Sequence, residues 1–190
     1  WLDACAGAGG KTLELADLME RTGTVVACDV RSYKLDDLRI RARRAGFPNI
    51  VTREWDGKPF KGKQAGGYDG VLVDAPCSCS GVWRRNPDGR WTLKPEDVEE
   101  AAALQQRILE AASTAVRSGG LLIYATCSLF PRENGGVVDA FLASHEEFAL
   151  EPFEHPLTGE PCGGMLQVRS FDGDCDSIFV ARLRRKEAES

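Results

Sequence analysis

The chain has 190 residues, 43% hydrophobic and 28% charged, which excludes disorder or a fibrous repeat as its main state and fits one domain with a sizeable core. A net charge of -5 argues against strong nucleic-acid binding by this chain alone, because phosphate contacts dominate such affinity. No run approaches the roughly 20 apolar residues of a membrane span and no charged-then-apolar leader opens the chain, so a cytoplasmic location is expected.

The predicted elements begin with a strand at Leu2, followed by DACAGAGGKT (Asp3 to Thr12) and a helix from Thr12 to Glu20. The loop ends like a phosphate-binding P-loop, but Cys5 stands where that motif needs its first glycine. The dinucleotide fingerprint read from Gly7 meets Thr12 where its third glycine belongs. What remains is D-x-C-x-G-x-G before a helix N-terminus, a pattern that brings backbone close to a nucleoside ligand. A second strand ends at Asp29, and a basic helix, read as a solvated face, runs to about Arg44 before Gly46 and Pro48 stop it. NIVTREWD is a third strand and YDGVLVDAPC a fourth, apolar on both faces. WRRNPDGRW follows as a loop whose Arg84, Arg85 and Arg90 lie between Trp83 and Trp91, suited to meet phosphates and stack on bases. A long helix then runs through KPEDVEEAAALQQRILEAASTAVRSGG, with Pro95 near its start and the glycines after its end, and LLIYATCS is the fifth strand. PRENGGVVDAFLASH reads as a helix interrupted at Gly135 and Gly136, FALEPF and SIFVARL as last strands around a Gly-rich loop, and residues 186–190 as a frayed tail.

Strands alternating with helices predict an α/β, Rossmann-like, doubly wound and mostly parallel sheet in one domain, residues 1–185. Such sheets bind ligands at the carboxyl ends of their strands, where the glycine loop, Asp29, Asp56, DAPC and TCS all fall. Asp29 lies about 20 residues after the loop, where an acid meets a ribose diol, although it also suits the N-cap of the next helix. Cys77 and Cys127 end neighbouring strands. A lone cysteine there is usually a small buried hydrophobe, but two at one crevice, with Asp74 close to the first, form a candidate pair of reacting thiols. Thr126 and Ser128 flank Cys127 with hydroxyls that can donate to a thiolate. The seven cysteines show no C-x-x-C pair and have only His145 and His155 as histidine co-ligands, so no zinc site or disulfide framework is expected.

In order and spacing, DACAGAGGKT, Asp29, VDAPCSCSGVWRRNPDGRW and YATCSLFPRENGGVV resemble the motifs of the RNA cytosine carbon-5 methyltransferases of the Fmu/Sun and Nop2 family. The resemblance runs from Leu2 to about Arg185 and implies a class I methyltransferase fold, S-adenosylmethionine as methyl donor, and an RNA partner, which the family's bacterial members imply to be ribosomal. Carried over by position, it implies cofactor contacts from Cys5, Ala6, Gly7, Ala8, Gly9, Gly10 and Lys11, from Asp29 at the ribose, Asp56 near the adenine, and Asp74. It assigns the nucleophile to Cys127, release of the product to Cys77 and the general acid to Asp74, while Trp83, Arg84, Arg85 and Arg90 are candidates to hold RNA. No metal or membrane partner is implied, and a monomer is favoured. Gly7 and Ala8 replace the family's Ala-Pro, and Cys79, read as structural, stands where the family more often has glycine. The family's preceding RNA-binding region is not in this sequence. Two other readings stay open: a DNA cytosine carbon-5 methyltransferase using Cys77, and an idle module that binds S-adenosylmethionine or RNA during ribosome assembly.

Overall fold

A computed structural model describes residues 1–187. The chain runs β1 (Leu2–Asp3), α1 (Gly10–Leu18), β2 (Val25–Asp29), α2 (Ser32–Ala45), β3 (Ile50–Glu54), β4 (Tyr68–Asp74), α3 (Gly89–Thr92), α4 (Pro95–Ser113), β5 (Val116–Thr126), α5 (Gly135–Ser144), β6 (Phe148–Leu150), β7 (Phe153–Glu154), β8 (Pro161–Cys162), β9 (Met165–Val168), α6 (Ser170–Gly173) and β10 (Ile178–Arg185). Among these, β3, β2, β1, β4, β5, β10 and β6 lie side by side in one sheet, with β9 added on β10.

The first five strands pair in parallel, and β10 runs antiparallel to β5, β6 and β9. Parallel pairing requires crossovers, which α1, α2 and α4 supply. β4 is buried from Gly70 to Val73, as a strand covered on both faces must be. The chain winds outward from β1 to β3, then returns to place β4 on the other side of β1. That reversal opens a crevice at the carboxyl ends of β1 and β4. The main core packs Leu2, Val71, Val73 and Tyr124 with Leu109 of α4 and Phe141 of α5, and a smaller cluster sets Leu38 and Ala42 against Ala6 and Ala27. The doubly wound, mostly parallel sheet predicted from the alternating pattern is therefore present.

Three boundaries differ from the sequence reading. The long helix was expected to continue to about Ser118, just before Gly119 and Gly120, but stops at Ser113, because fully buried Val116 already pairs with Tyr68 in the sheet. The next paired residue is Leu121, opposite Gly70, so residues 117–120 bulge out of the ladder, with Gly119 at φ +70°. Gly135 and Gly136 begin α5 rather than interrupt it, after a single 3₁₀ turn over Pro131–Glu133. FALEPF breaks at Pro152, which cannot donate to a ladder, and β7 leaves the sheet to pair with β8. At the expected frayed tail, the Lys186 backbone N–H donates to the Glu147 carbonyl at 2.7 Å, and residues 188–190 lie outside the described residues.

Candidate active site

The glycine loop is slung between the two strands that flank β1. Ala4 N donates to Leu72 O at 2.9 Å and Ala6 N to Cys28 O at 2.8 Å. Gly7 (φ +53°) and Gly9 (φ +85°) take left-handed conformations, and a Cβ on Gly9 would sit 2.5 Å from Leu38 Cγ. No atom lies within 4 Å of where a Cβ would project from Gly7 or Gly10, so the loop keeps an open face above the start of α1. The Ala8 carbonyl accepts from Arg41 at 2.6 Å, and Lys11 Nζ pairs with Asp74 Oδ2 at 2.6 Å, tying the helix start to the end of β4. Burial pushes the Cys5 thiol up, so it is a neutral group in the wall of the loop.

Asp29, buried at the end of β2, accepts Gly7 N at 2.9 Å, Arg31 N at 2.9 Å and Arg31 Nε at 2.9 Å. Burial alone would raise this carboxyl, but the hydrogen bonds from Arg31 and Gly7 prevail and hold it below the usual carboxylate range. It is not the N-cap of α2; Arg31 occupies that position. The basic patch read as a solvated helix face thus contributes Arg31 and Arg41 to the site.

Asp3 is the residue the sequence reading passed over, counting it only as the acid that opens the loop pattern. It is 1% exposed, its Oδ2 accepts Thr12 Oγ1 at 2.7 Å, and its Oδ1 is buried with no hydrogen-bond partner. Burial pushes its pKa up to about 6. An orphaned buried carboxylate oxygen beneath an open glycine loop is a site for a donor group of a ligand.

Beyond the tips of β2 and β3 lies an open cleft of about 620 Å³ lined by Val30, Trp55, Asp56, Lys58, Pro59 and Phe60. The Trp55 and Phe60 rings stack at 5.0 Å, and Val30 is 73% exposed, an apolar surface suited to a flat heterocycle. Asp56 stands at this cleft, exposed and paired with Lys58. The sequence reading found Asp56 but not the apolar residues around it.

Two thiols meet on the other side of β4. Cys77 follows β4 by three residues, Cys127 directly follows β5, and their Sγ atoms are 3.3 Å apart. Cys79 reaches the same point from an exposed turn with φ +56°. Hydrogen bonds from Cys127 and Cys77 pull the Cys79 thiol down to about 3, whereas the bonds Cys77 gives to Cys127 and Cys79, with burial, push Cys77 up. At Cys127 the bond from Cys77 acts downward, but Cys79 and burial outweigh it and leave the thiol at about 11.

What holds the two cysteine loops together is Glu133, fully buried at the end of the 3₁₀ turn. Its carboxylate accepts Ser78 N at 2.8 Å, Gln105 Nε2 at 2.8 Å and Ser128 Oγ at 2.6 Å, and Gln105 also donates to Pro76 O at 2.9 Å. Gly81 closes the same joint: its N–H donates to Cys127 O at 2.8 Å, and a Cβ there would meet Cys127 O and Ser177 O, each at 2.6 Å. The hydroxyls expected to donate to a thiolate are engaged elsewhere. Thr126 Oγ1 donates to Asn134 Oδ1 at 2.6 Å and Ser128 Oγ to Glu133 Oε1 at 2.6 Å, both in buried positions.

The loop proposed to hold RNA is only partly open. Arg84 pairs with Asp174 at 2.5 Å and Arg85 with Asp176 at 2.5 Å, which offsets their charge. Trp83 is half-buried against Phe130, at 6.5 Å and edge-on, so it is not the free stacking platform expected. Trp91, 78% exposed with the Arg90 guanidinium 4.9 Å from its ring centroid, is the accessible aromatic of this segment.

Residues 1–184 match the family described as "16S rRNA methyltransferase RsmB/F". A ribosomal RNA small subunit methyltransferase B from Pseudomonas syringae is 40% identical over 201 residues, covering 99% of this chain and 43% of the relative. A probable ribosomal RNA small subunit methyltransferase B from Synechocystis is 36% identical over 190 residues, covering 96% and 42%. The chain thus spans less than half the length of these relatives. The crystal structure of PH0851 superposes with a TM-score of 0.91 at 34% identity over 97% of this chain and 42% of that one. NSun6 from Pyrococcus horikoshii, solved with SFG, superposes at 0.79 and 26% identity over 98% and 48%. Among the described residues, no helix is long and apolar enough to cross a membrane. A glycine loop, a strand-end acid and paired thiols on a doubly wound sheet, matched along nearly all of its length, make this chain a member of the 16S rRNA methyltransferase RsmB/F family.

Proposed function

We propose that this chain is the catalytic part of an S-adenosylmethionine-dependent enzyme that methylates carbon 5 of a cytosine in ribosomal RNA through a covalent cysteine adduct. The observation that carries the reading is the 3.3 Å approach of the Cys77 and Cys127 sulfurs beside Asp74, at the mouth of a glycine-loop crevice. The residues fit the cofactor. The orphaned Asp3 Oδ1 and the open face above Gly7 and Gly10 suit an amino acid moiety, Asp29 a ribose diol, and the Val30, Trp55 and Phe60 cleft with Asp56 an adenine ring. Cys5, Ala6, Ala8, Gly9 and Lys11 shape the loop between them. When bound, S-adenosylmethionine supplies an electrophilic methyl group on its sulfonium sulfur.

The chain's own groups make carbon 5 able to accept it. Cys127, as thiolate, adds to carbon 6 of the cytosine, and the ring electron pair moves toward carbon 5. Asp74 holds a proton at ring nitrogen 3, which lowers the barrier to that addition. After methylation, the carbon 5 proton is lost to water and the carbon–sulfur bond breaks with its electron pair returning to Cys127 as thiolate, which restores the aromatic ring, and Cys77 assists that release. Trp91 with Arg90, and Arg84 and Arg85 once they exchange Asp174 and Asp176 for phosphates, are the groups that hold the unstacked nucleotide and its strand.

The test is a denaturing gel for covalent complexes, with S-adenosylmethionine, small-subunit ribosomal RNA, and wild type, Cys77→Ala and Cys127→Ala. Trapping by Cys77→Ala and none by Cys127→Ala is expected. The reverse pattern moves the nucleophile to Cys77, the arrangement of a DNA cytosine methyltransferase. Absence of any adduct with intact cofactor binding points instead to an assembly module without turnover.

A further inference from the structure

The paired thiols are only part of the sulfur chemistry gathered here. The Sγ atoms of Cys77, Cys79 and Cys127 all lie within 4.8 Å of one another, and among the described residues no acid or histidine joins the group. We infer that these three thiols form a binding site for a thiophilic d¹⁰ cation, of which zinc and cadmium are examples. Soft thiolate donors select such ions, and zinc takes sulfur ligands at about 2.3 Å, which places two sulfurs on one ion about 3.8 Å apart. The Cys77–Cys127 pair at 3.3 Å and the outer limit of 4.8 Å bracket that spacing, so side-chain rotation brings all three into range.

The backbone around the group is fixed. Ser78 N is held by Glu133, Gly81 N by Cys127 O, and the Pro76 carbonyl by Gln105, so the C-x-C turn and the end of β5 form a rigid cradle. Cys79 is the unusual member. Its φ of +56° is one that side chains other than glycine rarely adopt, and this conformation sets an exposed third sulfur over the other two. Cys79 also leaves one side of the group open to solvent, so a water can supply the fourth position. On binding, each protonated sulfur gives up its proton to the buffer as its bond to the metal forms, and no electron is transferred. The sequence reading excluded such a site because it looked for C-x-x-C pairs. Here the third ligand comes from a residue about fifty positions away that β4 and β5 bring alongside.

Under the function proposed above, an occupied site holds both reacting thiols out of reaction. The test is titration of the full, reduced chain with cadmium chloride, read by sulfur-to-cadmium charge-transfer absorption and repeated with zinc as competitor. One cadmium per chain is expected. Outer-shell changes alone cost about 10- to 100-fold in metal affinity, so Cys79→Gly, which also relieves the backbone conformation, should weaken binding about 100-fold or more. Cys77→Ser should do the same, whereas Cys162→Ser and Cys175→Ser leave the titration unchanged. Absence of the band in the reduced chain, or a band of full affinity in Cys79→Gly, overturns the site. Cadmium binding that fails to slow adduct formation keeps the site but removes Cys77 and Cys127 from the proposed reaction, so the two failures are distinguishable.

Discussion

Replacing Asp3 by Asn tests whether the floor of the glycine loop carries a destabilising charge. Asp3 is fully buried and has a folded pKa of about 6 against an ordinary value of 3.8. Because the folded state binds this proton more tightly than the unfolded chain does, stability is highest below the unfolded value and falls as pH rises through the folded one. At about 1.4 kcal/mol per pH unit, the separation corresponds to about 3 kcal/mol, fully lost above pH ~6. Asn keeps an oxygen for the Thr12 hydroxyl but has no charge to bury. Urea denaturation of both proteins at pH 4, 5, 6 and 7.5, the chosen assay conditions, isolates the effect, since all other titrations cancel in the difference. Relative to wild type, the variant should gain about 2.5 kcal/mol between the most acidic and the most alkaline condition, since at pH 4 part of the effect is already present. A difference that does not change with pH would refute the reasoning, because it would mean Asp3 is neutral throughout or solvated. The same carboxylate should favour a cationic ligand, so cofactor binding to wild type, measured by calorimetry, should weaken below pH ~6 and that trend should be absent in the variant.

Three further outcomes follow from the packing around the thiols. Glu133→Ala removes a charged acceptor from three donors and leaves Ser78 N unpaired, a loss of about 3–5 kcal/mol in denaturant unfolding, with adduct formation falling further than cofactor binding. Gly81→Ala sets a methyl group 2.6 Å from two backbone carbonyls, so it should either fail to fold or displace Cys127, read as loss of the adduct in protein that still binds cofactor. Adduct formation should rise with pH through the alkaline range, because Cys127 at about 11 is mostly thiol near neutrality, and Cys79→Gly should move that profile to lower pH by removing a group that raises it. A flat profile from neutral to alkaline pH would mean that Cys127 reacts without losing its proton beforehand.

Element order and the glycine loop were legible because they rest on local signals: alternation of apolar runs, glycines before a helix, acids at strand ends. The misread boundaries have nonlocal causes. The helix expected to reach about Ser118 gives way at Ser113 because Val116 has a place in the sheet opposite Tyr68, which no local periodicity reveals. The site divides in the same way. Cys77, Cys127 and Asp29 could be picked out because each ends a strand, and strand ends of a doubly wound sheet converge. Asp3 gave too little signal, since its character comes from complete burial against a single hydroxyl. Glu133 gave none, since PREN reads as a helix start, and its role exists only once α4 delivers Gln105 and the C-x-C turn delivers Ser78. The same distinction explains the arginines. Composition placed Arg84 and Arg85 among tryptophans, but their aspartate partners arrive from residues 174 and 176, about ninety positions later. An exposed ion pair of this kind contributes at most about 1 kcal/mol, so a phosphate can displace the aspartates at little cost. Under the proposed function, charge at this surface is held in reserve, and an incoming RNA strand would free the two acids as it binds.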